Sequence, residues 1–445
     1  MLKISISGVR GIAGDSLTPE ICLNFAKAFG TYLMGGSVVI GTDTRASSEL
    51  IKGIVMQGLL SCGCRVFDAG IVPTPTVGLA VKELSASGGI IITASHNPPE
   101  WNGLKFVRED GIFLNSKQAE MLIAIYKAGK FEVRSGGGVK TYKGATDLHI
   151  RKILKAISPV KIRARKFRVA LDSVNGAGSV ITVQLLRKLG CTVIPINTKL
   201  NAPFPHGAEP TPKNLVELCE VVRSGRADIG FGQDPDADRL AFVNEKGEAV
   251  SEEYTLALCV KSVLASLITG KKVVVTNLST TRAIEDVAKP LGGVVIRTKI
   301  GEVHVAEEMK SVRSAIGGEG NGGVIYPKVG YNRDSLTAIA LILMYMAKTG
   351  KPISELVKEL PTYFIVKKKV DCRTLAEAEE MIDRAREFYK KETLDLTEGV
   401  KVYFKRSWIH IRASNTEPIV RIIAEAPTFE EAEKLTEDLI LRLNP

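Results

Sequence analysis

The sequence predicts an α/β chain of three tandem, related α/β domains with mixed, mainly parallel sheets. A C-terminal α+β domain follows, and all four are arranged around one central cleft. Three observations carry this. The chain has 445 residues, too many for one ordinary core of about 100–200 residues. A strand–loop–helix–glycine–strand pattern occurs three times. The last part of the chain then changes rhythm.

The first copy of the pattern starts at Val38-Val39-Ile40, breaks into GTDTRASSE and resumes, after a helix-period stretch, with GCRVFDAG. The second runs Arg168–Leu171, DSVNGAGSV and GCTVIPIN. The third runs Lys272–Val275, TNLSTTRAI and GGVVIRTK. β-Branched runs read as strands, and a strand–helix–strand crossover implies parallel neighbours. The expected domains are residues 1–150, closing after the glycine-rich Ser135–Gly138, then 151–250 and 251–361. The fourth, 362–445, reads as strands Ile365–Val370, Lys401–Phe404, Ser407–Arg412 and Val420–Ala426, with an Ala/Glu-rich helix and an amphipathic helix from Phe429. That order is α+β.

Ligands of parallel sheets sit beyond the carboxyl ends of the strands, and the polar motifs fall there in turn. Ser95 follows GGIII, Asp234 follows DIGFG, Glu319 follows Ser314–Gly317, and Arg412-Ala413-Ser414 follows Ile409–Ile411. One polar loop per domain predicts four walls of one cleft.

Apolar residues make up 45% and charged residues 24%, the balance of a soluble globular protein. No run approaches the ~20 apolar residues of a membrane helix, and the N-terminus has no signal-peptide pattern, so a cytoplasmic protein without a membrane partner is expected. The seven cysteines include Cys62-Gly-Cys64 but no C-x-x-C, which reads as buried reduced thiols and no zinc ribbon. A net charge of +11 favours anionic partners. Its basic residues are spread out and not interleaved with aromatics, which argues against a nucleic-acid partner.

FGQDPDADRLAFV carries Asp234, Asp236 and Asp238 at alternate positions. Three such carboxylates repel one another and call for a cation, and oxygen-only ligation suits a hard ion such as Mg2+. An EF-hand is disfavoured because Arg239 stands where that loop needs glycine, and a solvated acidic turn is the plain alternative. GGEGNGGVIYP sets Glu319 and Asn321 among glycines, a pattern suited to sugar hydroxyls or to an ordinary surface loop. RASNTEPIVR offers Arg412, Ser414, Asn415, Thr416 and Arg421 as a phosphate cradle, or as a turn with surface charge. Ser95, in IITASHNPP, lacks the G-x-S-x-G elbow. Alone it reads equally as a helix cap; beside the other motifs it reads better as a nucleophile. Among the histidines, His96 adjoins Ser95 and His304 follows the loop Thr298–Glu302, facing the cleft. His149, His206 and His410 read as structural.

Gly8-Val9-Arg10-Gly11, T-A-S-H-N-P, D-P-D-A-D-R, G-E-G-N-G-G and R-A-S-N-T-E-P, in this order and spacing, resemble the α-D-phosphohexomutase superfamily over essentially the whole chain. The resemblance implies that Ser95 is a phosphoserine that gives and receives the phosphoryl group. It also implies that Asp234, Asp236 and Asp238 bind one Mg2+ with the Ser95 phosphate, and that Glu319 and Asn321, with Thr298 and Gly301 of the neighbouring loop, hold the sugar. Arg412, Ser414, Asn415, Thr416 and Arg421 would grip the phosphate not being transferred. Arg10, Lys105 and Arg239 match positions near the reacting serine, and His96 is suited to proton transfer.

The implied reaction interconverts hexose 6-phosphate and hexose 1-phosphate through a 1,6-bisphosphate, which also serves as activator, in a monomer or homodimer. The last domain is expected to move on a hinge near Pro361. Many bacterial mutases carry a G-E-x-S-G-H sugar loop, whereas Asn321-Gly322-Gly323 resembles the archaeal-type phosphoglucosamine mutase branch, with phosphomannomutase/phosphoglucomutase activity as the alternative. A silent phosphosugar-binding protein would have lost Ser95 or the aspartates, and a metal-dependent phosphatase would have to admit water to the serine phosphate.

Overall fold

Each of the first three sheets pairs a parallel half with antiparallel edge strands. The computed structural model describes residues 2–200, 202–414 and 417–443. The first sheet has seven strands in the order Lys3–Ser5, Gly8–Ile12, Trp101–Arg108, Gly88–Ile92, Ser37–Thr42, Arg65–Ile71 and Gly138–Thr141. Its last four run parallel, and the three beside Gly88–Ile92 pair antiparallel. The second sheet places Arg168–Asp172 between Thr192–Ile196 and Ile229–Gln233, all parallel, with Leu240–Asn244 and Ala249–Val250 antiparallel beyond. The third places Val273–Asn277 between Val294–Thr298 and Ile316–Glu319, again parallel, with Gly323–Ile325 antiparallel at the edge. The fourth is wholly antiparallel, in the order Phe364–Asp371, Ile419–Ala426, Trp408–Ala413, Val400–Tyr403 and Thr393–Asp395.

The central parallel strands are buried on both faces, as Val38, Val39 and Ile40 or Ile90, Ile91 and Ile92 show; crossover helices cover both sides of such a sheet. One apolar cluster runs without a break from Val39 and Ile91 of the first domain through Val169 and Phe231 of the second to Leu256 and Ile339 of the third. The helix Ser335–Thr349 anchors it. Asp334 caps the helix by accepting from the Leu336 and Thr337 amides. His149 Nε2 lies 2.9 Å from Asp334 Oδ2, and its Nδ1 lies 2.8 Å from Thr76 Oγ1. This wholly buried relay bears out a structural His149.

The fourth domain has its own core around Val402, Ile409, Ile422 and Leu439. It touches the third mainly through polar groups: Lys401 Nζ donates to the Leu278 carbonyl, His410 Nδ1 pairs with Ser279 Oγ at 2.9 Å, and Glu425 accepts from the Arg282 amide. Tyr254 Oη donates to the Pro361 carbonyl at 3.1 Å and accepts from the Tyr363 amide.

Several local features differ from the sequence reading. The strands Lys3–Ser5, Gly8–Ile12, Trp101–Arg108 and Thr393–Asp395 add to sheets without the expected apolar pattern, and the helix Ala145–Ala156 runs through position 150. All seven cysteines are free, including Cys62 and Cys64. Among the described residues no helix is long and apolar enough to cross a membrane.

Candidate active site

Ser95 sits just beyond the strand Gly88–Ile92, in a backbone conformation that serine rarely adopts. Its φ is 51°, in the left-handed region that costs a non-glycine residue about 1–3 kcal/mol. Local bonds hold it there: the Ser95 amide donates to Thr93 Oγ1 at 2.9 Å, and the Thr93 hydroxyl donates to Asp43 Oδ2 at 2.6 Å. The result aims Ser95 Oγ across the domain boundary, where it donates to Asp234 Oδ2 at 3.1 Å.

Asp234, Asp236 and Asp238 are fully buried, and each offers a carboxylate oxygen within 4.8 Å of the others. Asp234 Oδ1 turns the loop by accepting from the Asp238 and Arg239 amides at 3.1 and 3.0 Å. Burial and the two neighbouring carboxylates push the Asp234 carboxyl well above its ordinary range. Burial works in the same direction on Asp236, but Lys105 Nζ, 2.7 Å from its Oδ2, together with the Thr74 hydroxyl, holds it well below the ordinary range. Oδ1 of Asp236 and Oδ1 of Asp238 are buried without a hydrogen-bond partner. A cluster of hard oxygen donors with two orphaned acceptors fits a divalent cation.

Above this floor lies a cavity of about 360 Å³ lined from all four domains. The first contributes Arg10 and Lys105, the second Arg239, the third Gly301, Glu319 and Asn321, and the fourth Arg412 and Arg421. Seven basic side chains line it (adding Arg333 and Lys367) against three acidic ones, Glu253, Glu302 and Glu319. That excess suits an anionic ligand. Ser95 itself is only 2% exposed and is not among the lining residues; Lys105, which lines the cavity, reaches the aspartate cluster through Asp236.

Glu319 ends the strand Ile316–Glu319. Its Oε1 accepts from Asn277 Nδ2 at 2.8 Å and the Gly301 amide at 3.2 Å; its Oε2 accepts from Arg333 Nη1 at 2.6 Å. Arg333 also donates to Asp238 Oδ2 at 2.6 Å and lies 3.1 Å from Glu302 Oε2. It thereby joins the aspartate loop to the Glu319 loop, and those carboxylates hold its guanidinium charged against the cost of burial. The Glu319–Asn321 turn depends on Gly318, whose φ is 149° and where a Cβ would stand 2.1 Å from the Gly323 carbonyl oxygen.

Arg412 and Arg421 face each other across adjacent strands. Like charges in register repel, and Arg412 Nε is buried with no partner. Burial lowers the Arg412 guanidinium and Arg421 lowers it further, so an anion between them would relieve both. Arg412 Nη1 lies 3.5 Å from Glu398 Oε1, and the Ser414 amide donates to the Ile419 carbonyl at 2.9 Å. Asn415 and Thr416 lie outside the described residues.

One expected placement is corrected. Thr298 and His304 line a separate surface hollow with Glu307 and Glu308 and do not line the central cavity; the Thr298 hydroxyl donates to the Lys299 carbonyl at 2.9 Å. His96 borders a neighbouring cavity with Glu209 and Tyr254. Burial, with Arg239, Arg10 and Arg333, drives the His96 pKa down to about 2, so the imidazole is held neutral, with one ring N–H and one acceptor nitrogen. His410, read as structural, is buried at the joint between the third and fourth domains with both ring nitrogens paired, in keeping with that reading. Sequence reading missed Thr74, Asn277, Glu253, Glu302 and Arg333, whose partners lie far along the chain. It also missed Asp43 and Arg45. Their signal was present, since GTDTRASSE is the loop at the carboxyl end of the first repeat's opening strand.

Family models match the chain in four consecutive segments. They are described as the phosphoglucomutase/phosphomannomutase alpha/beta/alpha domains I, II and III, over residues 2–133, 147–247 and 251–364, and the phosphoglucomutase/phosphomannomutase C-terminal domain, over 366–442. A Thermococcus kodakarensis protein named "Phosphoglucomutase/phosphomannomutase" is 38% identical over 97% of this chain and 96% of its own. Another from the same organism, named "Probable phosphoglucosamine mutase", is 40% identical over 96% of this chain and 95% of its own. The crystal structure of a phosphoglucomutase/phosphomannomutase family protein from Burkholderia thailandensis matches with a TM-score of 0.85 over 100% of this chain and 98% of its own; at 24% identity this is a likeness of fold.

Proposed function

This chain belongs to the phosphoglucomutase/phosphomannomutase family of phosphohexomutases, and from that premise we propose that it interconverts glucosamine 6-phosphate and glucosamine 1-phosphate. The observation that carries the mechanism is the Ser95–Asp234 contact at 3.1 Å beneath a cavity whose far wall holds the facing Arg412 and Arg421.

In the proposed cycle Ser95 rests as its phosphate ester. A sugar hydroxyl attacks phosphorus, the bond to Ser95 Oγ breaks, and a 1,6-bisphosphate results. The sugar turns end for end, and Ser95 Oγ then takes the other phosphoryl group as the bond to the sugar oxygen breaks. The proton lost by the attacking hydroxyl in the first transfer is matched by the one gained by the departing sugar oxygen in the second. Splitting the isomerisation into two such transfers replaces one difficult step by two equivalent ones.

Lys105, Arg10 and Arg239 would stabilise the charge spreading over the transferring oxygens. Asp234, Asp236 and Asp238 would hold Mg2+ with the serine phosphate, and the bound ion supplies further positive charge there. Arg412, Arg421 and Ser414 would grip the distal phosphate. Glu319, Asn321 and the Gly301 backbone would hold the sugar. A hexose 1,6-bisphosphate would charge Ser95 when it loses its phosphate. Glucosamine is favoured because Glu319, assigned here to the sugar, lines the cavity, and an ammonium at C2 would pair with its carboxylate where a hydroxyl gains only a neutral bond.

A competition among glucosamine, glucose and mannose 6-phosphates, with Mg2+ and a trace of bisphosphate, tests this by phosphorus NMR. Glucosamine 1-phosphate should form first. Earlier glucose or mannose 1-phosphate would assign a broad phosphohexomutase, and full turnover by Ser95→Ala would refute the mechanism.

A further inference from the structure

Beneath the Ser95 loop lies a charged side chain that the proposed chemistry does not touch. Arg45 follows the strand Ser37–Thr42, and its guanidinium is completely enclosed. Nε donates to Asp43 Oδ2 at 3.0 Å. The other two nitrogens reach four carbonyls of one loop: Nη1 donates to Pro98 O, and to Trp101 O at 2.9 Å, while Nη2 donates to Ser95 O at 2.6 Å and Asn97 O at 2.8 Å. A guanidinium has five N–H donors, and here each has an acceptor.

The anchor is as well braced as the arginine. Asp43 also accepts from the Ser48 hydroxyl at 3.0 Å and from Thr93 Oγ1 at 2.6 Å, and Thr93 Oγ1 accepts the Ser95 amide. Both backbone groups of Ser95, its N–H through Thr93 and its C=O directly, therefore lead back to one Asp43–Arg45 pair. The residue so clamped is the one with φ of 51°. From the second domain, the Phe204 ring covers the guanidinium at 5.2 Å, so the clamp is completed where the two domains meet.

Four carbonyl dipoles aimed at one buried cation are more than loop closure requires. Lysine has only three donors around a single point and could not serve the same set. We propose that Arg45 is a positioning residue for phosphoryl transfer: it fixes the backbone of Ser95 so that Oγ points at the aspartate site. The proposal rests on the reading of Ser95 as the phosphoryl carrier. It places the effect on the transfer step and not on sugar binding, because the groups assigned to the sugar and the distal phosphate belong to the third and fourth domains.

The test compares the parent protein, Arg45→Lys and Phe204→Leu. Each is charged with radiolabelled hexose 1,6-bisphosphate, and the labelled fraction is counted. Release of label to glucosamine 6-phosphate is then followed by rapid quench. Per labelled molecule, transfer in Arg45→Lys should slow by on the order of 100-fold, the scale of a misplacement of about 1 Å. The KM for sugar phosphate should stay within about threefold, since binding groups are untouched. Phe204→Leu, at a half-buried loop position, should slow transfer about threefold through loss of the ring–cation contact; it decides the matter if Arg45→Lys does not fold. An arginine that merely held the fold would lower the melting temperature and leave transfer per labelled molecule unchanged, and that result would overturn the proposal. Failure of the parent itself to take label on Ser95 would overturn both this inference and the reading beneath it.

Discussion

Replacing Arg333 by Met withdraws a buried cation that three carboxylates share. Its guanidinium lies 2.6 Å from Asp238 Oδ2, 2.6 Å from Glu319 Oε2 and 3.1 Å from Glu302 Oε2. Removing one partner of a buried pair costs about 3–5 kcal/mol, because the charge left behind has lost its solvent and its counterion. Asp238 keeps Lys105 and Arg239, each at 3.8 Å, and Glu302 can take up a proton. Burial already raises the Glu302 pKa to about 7 against Arg333's opposing effect, and in the variant it rises further.

The sign follows from that direction. A carboxyl whose folded pKa is raised contributes stability that is present below its ordinary pKa and lost as pH rises through the folded one. The variant should therefore be about 4 kcal/mol less stable than the parent near pH 8, with the deficit shrinking toward pH 5. Urea unfolding across this range measures it. Adding Glu302→Gln should recover part of the loss, since one stranded charge is gone. Equal stability of Arg333→Met and parent at pH 8, or a deficit that grows as pH falls, would refute the reasoning.

Three further outcomes are expected. Burial raises the Glu253 pKa from 4.5 to about 8, so the parent should lose on the order of a few kcal/mol as pH rises through that interval. Glu253→Gln should fall less steeply there, with Glu302 still contributing to the slope, and parallel melting curves would count against it. Asp236→Asn should weaken Mn2+ binding in the absence of sugar at least tenfold by calorimetry, an effect on the scale of disturbed metal ligands; an unchanged isotherm would remove Asp236 from the ligand set. Gly318→Ala, whose Cβ would meet the Gly323 carbonyl at 2.1 Å, should destabilise by about 1–3 kcal/mol. An unshifted melting temperature would show that the turn relaxes freely.

What the sequence made legible were features written locally. The three strand–loop–helix copies and the carboxyl-end loops with Ser95, Asp234, Glu319 and Arg412 could be read because β-branched runs and glycines announce their own conformations. Antiparallel partners such as Trp101–Arg108 escaped notice because their pairing is set by distant strands. Arg333 escaped for the same reason, standing 95 residues from the aspartate it holds. Thr298 and His304 were misjudged at shorter range. Adjacency in sequence does not say which way a loop turns, and one residue's rotation sends a side chain into the neighbouring hollow.

The Ser95–Asp234 bond joins positions 139 residues apart. During synthesis, therefore, the serine emerges long before any carboxylate that could share its site. A chain halted after its first domain would present Ser95 without Asp234, Arg412, Arg421 or the Phe204 cover, and under the role proposed for Ser95 it could neither waste phosphoryl groups on water nor take them from passing esters. Reactivity in this architecture arrives late, as a property of the completed molecule that no single domain carries in advance.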